Sequence, residues 1–81
     1  MPVVFYIDGI KFFFFSNEGF PREPVHVHVR KDSNLAKFWL QPVVRLAGSY
    51  GFSSRELNKI AIIVENRSSE IEEAWNEHFE S

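Results

Sequence analysis

Two histidines stand two residues apart in residues 25–30, where valines alternate with polar side chains. In a β-strand, residues i and i+2 point to the same face, so His26 and His28 are predicted to lie side by side. A neutral imidazole can accept the proton of a ribose 2′-hydroxyl, and a protonated one can return a proton to the leaving oxygen. One hypothesis is therefore a metal-independent endoribonuclease whose catalytic residues are His26 and His28.

The same pair of imidazoles could also share a metal ion. A transition metal needs a third and usually a fourth protein ligand. The remaining candidates are Asp8, Glu23 and His78, and the spacing places none of them near the pair. The chain has no cysteine, which excludes a thiolate site and a disulfide framework. We therefore predict no metal site and no cofactor.

The elements that position these side chains begin with a predicted hairpin. Residues 3–7 and 10–16 are rich in β-branched and aromatic side chains. Asp8-Gly9 between them predicts a two-residue turn, because both turn positions need a positive φ. The turn fixes a register in which one face is wholly apolar, and a slip by one residue would destroy it. The facing pairs on that side are Ile7 with Ile10, Phe5 with Phe12, and Val3 with Phe14.

A second hairpin is predicted over residues 25–41, with a polar turn at 31–34 and a stop at Pro42. Its register places Lys37 opposite His28, and this like charge should disfavour the charged imidazole. The apolar pairs of this hairpin extend the apolar face of the first: Val29 with Ala36, Val27 with Phe38, and Val25 with Leu40. The opposite side pairs Arg30 with Leu35, His28 with Lys37, and His26 with Trp39.

The C-terminal third is predicted to be helical. Ser53 and Glu56 form a capping box that starts a helix at about Ser54. Apolar residues then recur at helical spacing, and a break is expected near residues 66–69 because one helix would outrun the sheet. The predicted fold is a two-layer α+β domain of about four antiparallel strands with two helices packed on one face. The whole chain, 1–81, is taken as one domain: sheet 1–41, connection 42–52 and helices 53–80.

The sheet face away from the helices has an unusual composition. Solvated faces of antiparallel sheets are usually polar, and a contiguous patch that is not polar marks an interaction site. Aromatic rings on a sheet stack nucleic-acid bases and interleaved cations meet phosphates. The alternatives are an interface with a partner or a second copy, anchored by Trp39 and phenylalanines, and simple coverage by residues 42–52. Besides the two histidines, the predicted binding residues are Tyr6, Lys11, Phe13, Arg30, Lys37 and Trp39, with Val4 and Phe15 on the same face.

Charge and hydropathy limit the classes of function. Residues 1–52 hold six Lys/Arg and four Asp/Glu, whereas residues 53–81 hold three and seven. This mildly basic sheet half and acidic helical half is too weak to be a nucleic-acid signature by itself. No basic segment precedes the first apolar run, and no run approaches the ~18 apolar residues of a membrane span. A cytoplasmic location without membrane contact is expected.

Several segments resemble a bacterial family catalogued as domain of unknown function 4160 (DUF4160). They are PVVFYIDGIKFFFFSNEG, EPVHVHVRK, AKFWLQPVVRLA, GFSSRELNKI and EAWNEHF. Family members often read E-P-P-H-V-H, where this chain has Val25 in place of the second proline. The family comprises small stand-alone bacterial and phage-borne proteins whose genes often neighbour a second small gene, which suggests toxin–antitoxin-type modules.

The resemblance implies a partner-binding or RNA-acting role and no established catalytic residue. It leaves open whether the protein acts as toxin or antitoxin. The leading hypothesis is thus a toxin–antitoxin-like accessory protein that binds RNA or a partner protein through the face that carries the histidines and aromatic rings. The partner is expected to come from a neighbouring gene or to be a second copy. The alternatives are the endoribonuclease and a homodimeric interaction module without catalysis.

Overall fold

The strands form one antiparallel sheet in which each strand pairs with the next along the chain, in the order β1-β2-β3-β4-β5. The computed structural model describes residues 2–16 and 23–79. The fold is therefore α+β, with five strands where the sequence predicts about four. The elements are β1 (Val3–Ile7), β2 (Ile10–Phe13), β3 (His26–Lys31), β4 (Asn34–Trp39), β5 (Arg45–Tyr50), α1 (Ser54–Asn66) and α2 (Ser68–Phe79).

The first hairpin turns at Asp8-Gly9 as predicted. Both residues have a positive φ, 52° and 76°, which is the backbone that this two-residue turn requires. The register is confirmed near the turn, where Phe5 faces Phe12. Further along β1, between Val3 and Phe5, the register shifts.

The beginning of β1 contains a β-bulge. Val3 faces Phe13, whereas the sequence predicts Phe14 as its partner. Because a bulge sets two residues against one, it reverses the faces of the side chains beyond it. Val4 consequently packs against the core, and Val3 is exposed. The predicted placement of Val4 on the face away from the helices is wrong.

The second hairpin has the predicted register throughout. His26 faces Trp39, His28 faces Lys37 and Val27 faces Phe38. The turn is tighter than predicted, since Lys31 and Asn34 still form a strand pair and only two residues turn. The predicted pairing of hydrophobic residues does not change, because the centre of the turn is the same.

β5 lies within the segment that the sequence predicts as a connection. It pairs with β4, with Arg45 opposite Trp39 and Tyr50 opposite Leu35. The strand carries a glycine and an irregularity in register, and all six of its residues are exposed. It therefore lacks the alternation of buried and exposed side chains by which a half-buried strand is recognised.

The two helices begin and break where the sequence predicts. The Glu56 N–H donates to the Ser53 hydroxyl at 3.1 Å, and the Ser53 N–H donates to Glu56 Oε1 at 2.8 Å. The hydrogen bond from the Ser53 backbone N–H is the main cause that holds the pKa of the Glu56 carboxyl below its usual 4.5. Arg67 separates α1 from α2 within the expected region.

The helices cover one face of the sheet, as predicted. Four fully buried side chains of the helices lie in the same core as the inward-facing residues of β2, β3 and β4. Burial of these rings and branched chains is the main stabilising contribution in a chain this small. The helical residues are Ile60, Val64, Ile71 and Trp75, and the sheet residues include Phe12, Val27, Val29 and Phe38.

Candidate functional site on the outer face of the sheet

The sheet face opposite the helices is here called the outer face. The strand register assigns its members, because facing residues of neighbouring strands project to the same side. It gains three residues, Arg45, Gly48 and Tyr50, that the sequence analysis missed because β5 was not predicted. The described members are Val3, Tyr6, Lys11, Phe13, Phe15, His26, His28, Arg30, Leu35, Lys37, Trp39, Arg45, Gly48 and Tyr50.

One row of the outer face runs across all five strands. It begins at Tyr6, passes Lys11 and Arg30, and ends beyond Leu35 at Tyr50. The two tyrosines are 65% and 72% exposed, so their rings are available to a ligand. Two cations thus lie between two accessible aromatic rings, all on one line across the sheet.

A second row contains Phe13, His28, Lys37 and Gly48. Gly48 has no side chain, and nothing lies within 4 Å of where a Cβ would stand. A shallow depression of about 210 Å³ consequently opens there, lined by His28, Lys37 and Tyr50 among others. This depression is the concave part of an otherwise open surface.

The lysines of the outer face lie over aromatic rings. Lys37 Nζ is 4.3 Å from the ring centroid of Trp39, and Lys11 Nζ is 4.9 Å from that of Phe13. Lys37 also lies 3.7 Å from a carboxylate oxygen of Glu23. The attraction between a cation and a ring face holds each ammonium close to the sheet while it stays accessible to solvent.

Phe13 does not have the accessibility that the sequence analysis assigned to it. Its side chain is 3% exposed and is surrounded by Phe15, whose ring centroid is 5.3 Å away, and by His28 at 5.6 Å. Together with Lys11 above it, these groups cover the ring. The role of Phe13 as a stacking platform stays a prediction, and this burial does not favour it.

His26 is the larger correction. Its side chain is 0% exposed, whereas the sequence predicts it on an accessible face beside His28. Its ring lies against Trp39 on β4 at 5.4 Å and against Trp75 on α2 at 5.0 Å, between centroids. Strand alternation does set the direction of the side chain, but the aromatic side chain from the helical layer reaches the end of β3 and buries the imidazole.

The hydrogen bond of His26 defines its protonation at one nitrogen. Nδ1 lies 3.0 Å from the carbonyl oxygen of Pro24. A carbonyl can only accept, so Nδ1 carries the proton and donates it. A catalytic group must reach the atom whose proton it moves. The buried His26 does not offer such access, and its assignment as a catalytic residue remains a prediction that this geometry does not favour.

His28 is half-buried and lies between aromatic neighbours. Its ring centroid is 4.5 Å from that of Phe15 and 5.2 Å from that of His26. The strand register places it opposite Lys37, as predicted. Of the two histidines, His28 alone lines the depression of the outer face.

The structure does not bring the remaining metal-ligand candidates to the histidines. Asp8 is in the turn of the first hairpin, and His78 is on α2, where its ring contacts Phe79 at 4.4 Å. Over residues 2–16 and 23–79, no three His, Asp or Glu side chains lie close enough to hold an ion together. Within the same ranges, no helix is long and apolar enough to cross a membrane.

Comparison with known proteins identifies one family. The profile of the family described as Domain of unknown function (DUF4160) matches residues 9–76. This match begins in the turn of the first hairpin and includes β2, the second hairpin, β5, α1 and most of α2, whereas β1 with Tyr6 lies before it. No curated protein and no solved structure matches the chain.

Proposed function

We propose, for a chain that belongs to the DUF4160 family, that the outer face binds single-stranded RNA. The observation that carries the proposal is the composition of this face. Its strands present four cations and two accessible tyrosines, and no described strand residue on it is acidic. The protein would then serve as an accessory component of a toxin–antitoxin-type module, and the RNA would be its ligand.

The charges of the two layers favour binding of RNA to the sheet and not to the helices. Residues 54–79 hold six glutamates and three cations, whereas every charged strand residue of the outer face is a cation. A polyanion approaching the molecule is attracted to one layer and repelled by the other. The sequence shows the separation as a mildly basic sheet half and an acidic helical half, and the pairing of the strands places the four cations together on one face. The four cations are Lys11, Arg30, Lys37 and Arg45.

The spacing of the rings supports a single-stranded ligand. Tyr6 and Tyr50 lie on the first and last strands of one row, which are about 19 Å apart at the usual separation of neighbouring strands. Sheets that bind RNA stack about two or three bases on aromatic side chains. Paired bases in a duplex are already stacked on each other and do not offer their faces in this way.

Removal of one cation tests the electrostatic part of the proposal. Lys37→Gln should weaken the binding of labelled oligouridine, measured by fluorescence anisotropy over a series of salt concentrations. The slope of log K against log salt should fall in magnitude by about 0.7, the value for one contact with a single-stranded phosphate. Lys59→Gln, which neutralises an exposed lysine on α1, is the matched control and should leave the slope unchanged.

Removal of one ring tests the stacking part. Tyr6→Ala should lower the affinity by about 1–3 kcal/mol, the usual effect of losing one base–aromatic stack. The tyrosine is largely exposed, so the thermal midpoint should change little. Equal affinities of the Lys37 and Lys59 variants, or full affinity of the Tyr6 variant, would show that RNA does not bind the outer face.

A further inference from the structure

The last strand of the sheet lies outside the helical layer. None of the six residues of β5 belongs to the hydrophobic core or packs half-buried against it. Leu46 faces the buried Phe38 across the strand pair, yet it remains 42% exposed. The two helices therefore cover the sheet as far as β4 and leave β5 as an uncovered edge.

Exposed hydrophobic side chains are concentrated at this edge. Of the eight large hydrophobic residues that are exposed in the described parts of the chain, half belong to β5, pair with it, or precede it closely. An uncovered strand with unpaired backbone groups and apolar side chains is a template for another strand. These four residues are Leu35, Val43, Leu46 and Tyr50.

The opposite edge of the sheet is different. Val4, Phe5 and Ile7 of β1 pack against the core. The guanidinium of Arg67 lies 4.8 Å above the ring of Phe5 and so covers this part of β1. β1 is thus integrated with the helical layer, which leaves β5 as the edge suited to pairing.

We infer that β5 pairs antiparallel with β5 of a second copy of this chain, so that two sheets join into one of ten strands. The strand is complementary to itself in one register. Arg45 then stands opposite Tyr50 of the partner subunit, and Leu46 stands opposite Ser49 of the partner subunit. The twofold axis repeats both contacts, as in an isologous dimer, and the irregularity at Ala47 and Gly48 lies at the centre of the junction.

The faces of the side chains agree with this register. Arg45 and Tyr50 both lie on the outer face, since they are paired with Trp39 and Leu35. Leu46 and Ser49 both lie on the inner side, opposite Phe38 and Ala36. A shift of one residue would set outer against inner residues and is therefore excluded.

The charged and aromatic residues of β5 agree with this register as well. Each guanidinium meets a tyrosine ring, an attractive cation–π pair, and the two arginines lie at opposite ends of the junction. The inference shares Arg45 and Tyr50 with the proposed RNA-binding face, but its test uses no nucleic acid and so can fail or succeed by itself.

A charged substitution on β5 tests whether the chain dimerises through this edge. Sedimentation equilibrium of the whole chain, from micromolar to near-millimolar concentration, should show an association to twice the 9.5 kDa chain mass. Leu46→Lys should lower the association constant about tenfold or more, because a charge directed at an edge opposes strand addition. Ile62→Lys is the matched control: it introduces the same charge at a similarly exposed residue of α1 and should leave the association unchanged.

A pair of substitutions tests the register. Tyr50→Arg sets a second guanidinium opposite Arg45 of the partner subunit and should weaken the dimer, since like charges directly opposite are destabilising. Adding Arg45→Tyr to the same chain restores one tyrosine and one guanidinium in each contact and should restore the association. Circular dichroism melts identify any variant that does not fold, and the two tests use different residues.

These experiments distinguish failure of the dimer, failure of its register and failure of the RNA proposal. A wild-type chain that stays monomeric at every concentration overturns the inference, as does an equal effect of the two lysine variants. Failure of the double variant to recover overturns the proposed register. A Lys37 variant that keeps full affinity for RNA while the wild-type chain dimerises overturns the RNA proposal alone. A wild-type chain that binds RNA but stays monomeric overturns the dimer alone.

Discussion

Truncation of His26 should show that this residue is structural. The imidazole is fully buried and lies between Trp39 and Trp75, with Nδ1 donating to the Pro24 carbonyl. His26→Ala removes the ring and leaves a cavity, which costs about 2–4 kcal/mol by analogy with other large-to-small core substitutions. The lost hydrogen bond adds about 1 kcal/mol. We expect a total loss of about 3–5 kcal/mol in the free energy of unfolding.

A second substitution separates the two contributions. His26→Phe keeps an aromatic ring at this position, slightly larger than imidazole, and removes the Nδ1 donor to the Pro24 carbonyl, so about 1 kcal/mol should be lost. For a chain of this size, each 1 kcal/mol lowers the thermal midpoint by about 4–8 °C. The alanine variant should therefore melt at least about 12 °C below the wild type, and the phenylalanine variant about 4–8 °C below it.

The assay is urea denaturation followed by circular dichroism, together with thermal melts. His28→Ala and His28→Phe, two positions along the same strand, are the matched controls and should cost less, because His28 is only half-buried. Equal losses at the two positions would refute the reasoning. So would an unchanged midpoint of His26→Ala, because a fully packed ring cannot be removed without a cost.

Three further predictions follow from particular residues. Gly51→Ala should lower the urea midpoint, because φ is +91° and the added Cβ would collide with the Asn34 side chain. At Gly48 nothing lies near the position of a Cβ, so Gly48→Ala should leave the urea midpoint nearly unchanged. Folding lowers the pKa of Glu56, so its stabilising contribution is present above about pH 4.5 and is lost as the pH falls through the pKa of the folded state. Glu56→Gln should therefore make the free energy of unfolding depend less on pH in the acid range. Labelled oligouridine should stay intact with the wild-type protein on a denaturing gel; cleavage that His28→Asn abolishes would instead establish the ribonuclease hypothesis.

Local signals determined the hairpins and the helix starts. Asp8-Gly9 requires a left-handed backbone at both turn positions, and alternation of valines with polar residues allows one register in the second hairpin. The capping box at Ser53 and Glu56 likewise acts within four residues. These features were predicted because their physical causes lie within a few residues of each other.

Contacts between distant residues decided the rest. The bulge at Val4 and the strand β5 depend on pairing with neighbours that the local sequence does not specify. The outer face therefore gained Arg45, Gly48 and Tyr50 only when the fifth strand was placed.

Burial was decided in the same way. Alternation correctly set the direction of His26, but Trp75, which lies almost fifty residues further along the chain, covers its ring. The sequence by itself determined which side chains share a face, because that depends on the period of the strand. Tertiary structure decided which of them reach solvent, because that depends on what the helices and the neighbouring strands bring to the same place.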